Sequence, residues 1–252
     1  MNTVEQQKKI QKSLSRNVAV VILCAERDRA SSILDCGTLS LIQFPHEKLF
    51  VTAFHVWDSF VNADPPGFIA ACCSEPNDDG DCFEISKSEI IAESQRPRDL
   101  VVLRPPFIKC LENCGKTFAT VNEWPPRIPE VCETVMVLGS PGEFREDIST
   151  QDRQLFAMHG FSLELKITGY SDFALFLELG CKFDDPHLNV WNPYPIDWHS
   201  INWGGLSGAP VYAKGSDDSF RPCAILTDAS DGIEGRFIAT KLDCLDDRGR
   251  LG

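Results

Sequence analysis

Three short segments carry residue types that can work together chemically: Val51-Thr52-Ala53-Phe54-His55-Val56, Arg98-Asp99-Leu100-Val101-Val102-Leu103 and Gly204-Gly205-Leu206-Ser207-Gly208-Ala209-Pro210-Val211. The first reads as a strand delivering a histidine at its end, and the second as an aspartate at the mouth of a strand. The third reads as a serine in a glycine-rich turn that leads into a strand. A serine hydroxyl is a weak nucleophile until a base takes its proton, and imidazole titrates near neutrality. A buried carboxylate beside the imidazole fixes its tautomer and stabilises the imidazolium that forms. Glycines around a serine permit unusual backbone angles and let N–H groups converge on developing negative charge. Losing one such donor costs about 2.7–4 kcal/mol.

Each residue also has an ordinary explanation. Ser207 fits a tight turn and Asp99 a strand-end cap, while an isolated histidine is most often structural. His46, His159, His187 and His199 are read as structural. His55 stands apart because an aspartate and a serine of suitable context follow it in order.

The elements that must position these residues are short runs rich in Val, Ile, Leu, Phe and Thr, broken by turn residues. A polar helix over Val4–Ser15 precedes six expected strands: Asn17–Cys24, Ile33–Phe44, Lys48–His55, Gly67–Ser74, Cys82–Glu93 and Leu100–Arg104. A proline-rich stretch, with Pro105-Pro106 and Pro125-Pro126, cannot carry a central strand. Six more strands are expected at Val131–Leu138, Phe161–Thr168, Phe173–Leu179, Ala209–Ala213, Pro222–Thr227 and Arg236–Leu242. The pattern predicts an all-β fold of two six-stranded antiparallel barrels with a short N-terminal helix. The expected division is residues 1–16 for the helix, 17–105 for the first barrel, 106–130 for the linker and 131–252 for the second barrel, together one domain. Gly142–Gly160 and Gly180–Gly205 are expected as long loops, which at such length are usually functional or mobile.

Bulk properties narrow the partners. A formal charge of −13 opposes nucleic acid and anionic membrane, both of which attract clustered Lys and Arg. No run approaches the ~18–20 apolar residues of a membrane span. Met1–Arg16 is polar and lacks the apolar stretch of an export signal, so a cytoplasmic location is expected. The 11 cysteines are then expected to be reduced, with Cys24, Cys132 and Cys223 buried in apolar runs as small hydrophobes. Cys72, Cys73, Cys82, Cys110 and Cys114 lack paired C-x2-C spacing and would need two segments to approach each other, so no metal is read from them. The acidic stretch Glu75–Asp81 is a solvated turn. With Gly80 in a calcium loop's glycine position, the last ligand would be Ser86 where Glu is required.

The segments T-A-x-H-V, R-D-L-V-V-L and G-x-S-G-x-P-V, in the order His, Asp, Ser, resemble the trypsin-like (chymotrypsin-fold) serine peptidase family. In motif style they are most similar to its bacterial and HtrA-like members. Cys36-Gly37-Thr38-Leu39 resembles the strand before the histidine strand, and Val135–Gly142 resembles the turn opening the second barrel. The resemblance spans about Asn17 to Leu245. It implies His55 as general base, Asp99 as its orienting acid and Ser207 as nucleophile. It implies an oxyanion hole from the N–H groups of Gly205 and Ser207. A strand at Ile225, Leu226, Thr227 and Asp228 would pair with an extended peptide. Ile201, Asn202 and Trp203 would line the primary specificity pocket, whereas Trp191 and Trp198 are read as core or loop anchors. The implied activity is endopeptidase cleavage through an acyl-enzyme, with a polypeptide substrate, no cofactor, and a protein regulator as a further candidate partner.

Two residues depart from trypsin itself. Leu206 stands where trypsin has an aspartate that receives a newly freed amino terminus, so activity without N-terminal processing is expected. Phe54 replaces an alanine before the histidine and would reshape the adjacent subsite. Ile201 stands where members with basic specificity carry an aspartate, which implies uncharged residues before the cut bond. Two rival readings use the same groove: a degenerate domain that binds peptides without cutting, and an esterase or amidase.

Overall fold

The computed structural model describes residues 9–10, 12–24, 33–63, 68–70, 82–84, 89–121, 123–139, 145–147, 156–158, 161–179, 203–229 and 235–252. In the first half, strands β1 (Val18–Cys24), β2 (Ile33–Gln43), β3 (Lys48–Ala53), β4 (Phe68–Ala70), β5 (Cys82–Glu84), β6 (Ile90–Ser94), β7 (Leu100–Leu103) and β8 (Ala119–Thr120) form one sheet. Its order is β5-β4-β1-β2-β3-β7-β6, and β8 pairs parallel to β2. Helix α1 (Phe54–Val61) follows β3, and α2 (Ile108–Asn113) follows β7. The second half contains β9 (Thr134–Gly139), β10 (Arg145–Asp147), β11 (Phe156–Met158), β12 (Phe161–Tyr170), β13 (Ala174–Leu179), β14 (Pro210–Lys214), β15 (Phe220–Asp228) and β16 (Arg236–Lys241). Six of these close into a barrel in the order β12-β13-β16-β15-β14-β9, and β10 and β11 form a separate hairpin.

The sequence of β3 and β7 explains how the halves meet. Leu49–Ala53 and Leu100–Leu103 are buried throughout instead of alternating. Side chains of a strand alternate between faces, so both faces here are covered. One face puts Phe50, Val101 and Leu103 into the first half's core with Leu39 and Leu41. The other puts Leu49, Val51, Leu100 and Val102 against Ile225, Leu242 and Leu245 from the second half. Each such side chain contributes roughly 1.5–3 kcal/mol when removed from water, so this seam binds the halves firmly. The barrel has its own core around Val137, Leu163, Leu177, Val211 and Leu226.

Several expectations are corrected. The second barrel is closed and six-stranded as expected, but the first half is an eight-stranded sheet with no closing pair among the described residues. The expected strand Cys82–Glu93 is split between β5 and β6. The Pro-rich 106–130 stretch contains α2 and β8. The strand ending at His55 stops at Ala53, because Val56, Trp57 and Phe60 present a buried stripe at helical spacing and turn the chain into α1. The 142–160 loop contains β10 and β11. The strand expected from Val131 begins at Thr134, after a turn with Cys132 at φ +74°. At the N-terminus residues 9–10 and 12–14 are helical and a 3-10 turn covers Ser15–Asn17, while 4–8 lie outside the described residues.

Among the described residues no helix is long and apolar enough to cross a membrane. Among the described residues Cys36, Cys110, Cys114, Cys132, Cys223 and Cys244 are in the thiol form. Cys132 is exposed rather than buried, since its left-handed turn lifts it off the barrel. Cys72, Cys73 and Glu75–Asp81 lie outside the described residues, as do the side chains of Cys24 and Cys82.

Cys223 is fully buried and its Sγ donates to the Val211 carbonyl at 3.4 Å. Burial pushes its thiol from 9.0 up to about 12, chiefly by desolvating the thiolate. The neighbouring Tyr212 phenol is also pushed up by burial, offset in part by Asn17. Below about pH 9 both folded and unfolded states keep the Cys223 proton, so this contribution is fully present. Between about pH 9 and about 12 only the unfolded state releases it, so stability should fall by up to about 1.4 kcal/mol per pH unit. Denaturant titrations from pH 8 to 10 should show this slope in the wild type and a flatter one in Cys223→Ala. Equal slopes would contradict the assignment.

Candidate active site

Register explains why the histidine and the aspartate meet. β3 and β7 are antiparallel with Ala53 opposite Leu100, so the next residues outward, Phe54 and Asp99, also face each other. The Phe54 N–H donates to the Asp99 carbonyl at 3.0 Å. One residue on, the His55 N–H donates to Asp99 Oδ1 at 2.9 Å, and His55 Nδ1 lies 2.6 Å from Asp99 Oδ2. An ionised carboxylate only accepts, so Nδ1 carries the proton and Nε2 is left as the basic edge. Asp99 is buried, whereas the His55 side chain is 51% accessible. The acid is thus shielded and the base faces outward.

The serine turn is built by two glycines in the left-handed region, Gly205 at φ +93° and Gly208 at φ +92°. The Leu206 N–H donates to the Trp203 carbonyl and the Ala209 N–H to the Leu206 carbonyl. On the barrel side, the Gly208 N–H donates to Leu226 at 2.7 Å, and the Leu226 N–H to Ala209 at 2.8 Å. The first-half sheet holds the turn from the other side. The Thr38 N–H donates to the Ser207 carbonyl at 3.0 Å. The Thr38 hydroxyl donates to the Gly205 carbonyl and the Ser40 hydroxyl to the Gly208 carbonyl, both at 2.7 Å. Thr52, three residues before His55, donates to the Thr38 carbonyl at 2.7 Å. A Cβ on Gly208 would overlap both the Thr38 carbonyl oxygen and Thr52 Oγ1. Ser207 therefore sits against the end of the strand that leads into His55.

Among the described residues the Ser207 hydroxyl makes no hydrogen bond, and the N–H groups of Gly205 and Ser207 donate to no other group. His55 and Asp99 form a hydrogen-bonded pair, and Ser207 is placed beside their strand without being bonded to them.

Leu206 is fully buried in the barrel core with Val137, Leu163 and Trp203, so its side chain is packing and not a receiver of charge. Trp203 is buried too, edge-on to Phe237 at a centroid distance of 5.4 Å. Ile225, Leu226 and Thr227 are buried in β15, and Asp228 is half-buried at its end. On its β14 side β15 pairs as far as Ile225, and beyond it Leu226 is bonded to the serine turn. Ile201 and Asn202 lie outside the described residues, as do Trp191, Trp198, His159, His187 and His199. His46 is an exposed residue 3.1 Å from Asp247. Among the described residues no cluster of His, Cys, Asp or Glu could hold a metal.

Four hydroxyls shape the site: Thr38 and Thr52, which fall within the family-like segments, and Ser40 and Thr240, which lie outside them. Thr240 Oγ1 donates to the carbonyl of Arg98, immediately before Asp99. The visible signal for all four is a hydroxyl in an otherwise apolar strand, which must find a partner once buried.

No protein-family model matches this chain and no curated protein does. Solved structures do. The structure of HBP is similar at 11% identity over 90% of this chain and 86% of that one, with a TM-score of 0.53. A thermostable serine protease from an extremophilic microorganism matches at 10% identity over 90% and 91% of the two chains, with a TM-score of 0.49. The serine protease domain of the Sesbania mosaic virus polyprotein matches at 13% identity over 90% and 89%, with a TM-score of 0.47. Taken with the closed barrel, the likeness at TM-score 0.53 shows that this chain shares the chymotrypsin-like fold of that structure.

Proposed function

We propose that this protein is a serine endopeptidase, with residues 17–105 and 131–252 acting as one cytoplasmic peptidase domain. The observation that carries the reading is the doubly bonded pair in which Asp99 accepts both the His55 N–H and Nδ1–H. That pair orients Nε2 as a base, which a merely structural histidine does not require.

In this reading Ser207 Oγ attacks the substrate carbonyl as His55 Nε2 takes its proton, and Asp99 stabilises the imidazolium. The N–H groups of Gly205 and Ser207 receive the oxyanion. Collapse releases the amine with the proton from His55, and water then cleaves the acyl-enzyme by the reverse use of the same base. The peptide pairs with β15 at Ile225–Asp228 by strand addition. Leu206 offers no counter-charge to an inserted ammonium, so no N-terminal processing is needed. By the family resemblance Ile201 stands where members with basic specificity carry an aspartate, which favours uncharged residues before the cut bond.

A second reading, a peptide-binding domain without turnover, draws on one observation: the Ser207 hydroxyl is not bonded to His55. Incubation with a diverse peptide library, read by mass spectrometry against Ser207→Ala, separates the two. The proposal expects cuts after uncharged residues in the wild type only. Retention of intact peptides by both proteins would favour the binding domain, and cuts mainly after Lys or Arg would overturn the pocket assignment.

A further inference from the structure

Asp99 has φ +50°, a backbone conformation that non-glycine residues adopt rarely and only where their surroundings hold them. What holds it is a set of hydrogen bonds around one peptide plane. The Arg98–Asp99 peptide is planar, so fixing both of its polar ends fixes the plane. At one end the Asp99 N–H donates to the Gln95 carbonyl at 3.1 Å. At the other, the Arg98 carbonyl accepts the hydroxyl of Thr240. With the Asp99 carbonyl bonded to the Phe54 N–H, the backbone on both sides of the Asp99 Cα is pinned, and the carboxylate direction follows.

Of these partners only Thr240 comes from the second half. It lies in β16, is 1% exposed, and its Oγ1 is 3.5 Å from Thr227 Oγ1 in β15. The arrangement is reciprocal. Thr38 and Ser40 reach from the first half to hold the serine turn, and Thr240 reaches from the barrel to hold the acid turn. Apolar packing at the seam holds the halves together without setting the direction of a single peptide plane, which a buried directional bond does.

We propose that Thr240 is a positioning residue for the Asp99–His55 pair, acting through the Arg98 carbonyl; its effect on turnover rests on the peptidase reading above. Without that hydroxyl the peptide plane can rotate, and the carboxylate then leaves the line between Oδ2 and Nδ1. A misplacement of about 1 Å costs up to about 100-fold in rate, so the expected loss in Thr240→Val is about 10–100-fold, carried by kcat with KM nearly unchanged. Thr240→Ser keeps the donor and should return kcat to within about threefold of wild type.

The test uses the full chain in three forms: wild type, Thr240→Val and Thr240→Ser. Turnover is divided by the concentration of sites titrated with a fluorophosphonate, so that a loss of folded protein does not count as a loss of rate. The downfield proton resonance of His55 Nδ1–H is recorded in parallel, because it reports the pair whether or not the protein cuts peptides. The proposal expects a lower kcat per titrated site and a shifted or lost resonance in Thr240→Val, with both restored in Thr240→Ser. If Thr240→Val does not fold, Thr240→Ala removes the same donor and is read the same way. A wild type that cuts no peptide, with the resonance responding as stated, sinks the peptidase reading and sustains Thr240. An unchanged resonance and unchanged kcat in the variant lacking the hydroxyl overturns the role of Thr240.

Discussion

Replacing Ser207 or His55 with alanine should lower peptide turnover by roughly 10⁴–10⁶-fold, and the double variant should be little worse than either single one. The hydroxyl and the imidazole serve one proton transfer, so once either is gone the other has no role left to lose. Asp99→Asn should fall by roughly 10⁴-fold for a reason visible in the hydrogen bonding. Asp99 Oδ1 accepts the His55 N–H and Oδ2 accepts Nδ1–H. An asparagine can keep the first bond only by turning its NH₂ toward Nδ1. The imidazole would then carry its proton on Nε2, where it cannot act as a base. Steady-state kinetics on one peptide substrate check all four variants. Losses that add between Ser207→Ala and His55→Ala would mean that the two do not act together.

Gly208→Ala should be the most damaging glycine-to-alanine change among the described residues. Gly208 sits at φ +92°, where a Cβ is strained whatever the space around it. Here that Cβ would also overlap the Thr38 carbonyl oxygen and Thr52 Oγ1. Relief requires the serine turn to move away from β2. That movement breaks the Thr38 N–H bond to Ser207 and the Ser40 bond to the Gly208 carbonyl. Left-handed strain adds to the overlap and to two lost buried bonds, so the expected cost is about 3–5 kcal/mol, together with loss of activity. Denaturant unfolding of Gly208→Ala measures it. A stability within about 1 kcal/mol of wild type would contradict the tight packing of this turn.

What was legible in the sequence follows the range over which each signal acts. Ser207, flanked by glycines, and the apolar strand after Asp99 are local patterns, and their placement as a strand–turn unit needed no partner. The six strands of the closed barrel were visible because β12 and β13 alternate buried and exposed residues. Full burial of β3 and β7 hides such alternation, and it comes from a seam between residues more than 100 positions apart. For the same reason His55 was expected on a strand. The stretch after Ala53 is apolar in either conformation, and only the docking of Val56, Trp57 and Phe60 on the sheet decides for a helix. Thr240 escaped notice because its partner, the Arg98 carbonyl, is 142 residues away. The burial of Leu206 follows from local signals, an apolar side chain between two left-handed glycines just before a barrel strand.

The central claim is that Ser207 is an activated nucleophile in the chain as it stands. Its most direct measurement is fluorophosphonate labelling of the purified full-length protein, with intact mass to confirm an unprocessed N-terminus and peptide mapping to locate the adduct. One adduct on Ser207, absent from Ser207→Ala and from wild type labelled after denaturation, is the predicted result. An adduct that persists in Ser207→Ala, no adduct in folded wild type, or labelling only after the first residues are removed would contradict the account.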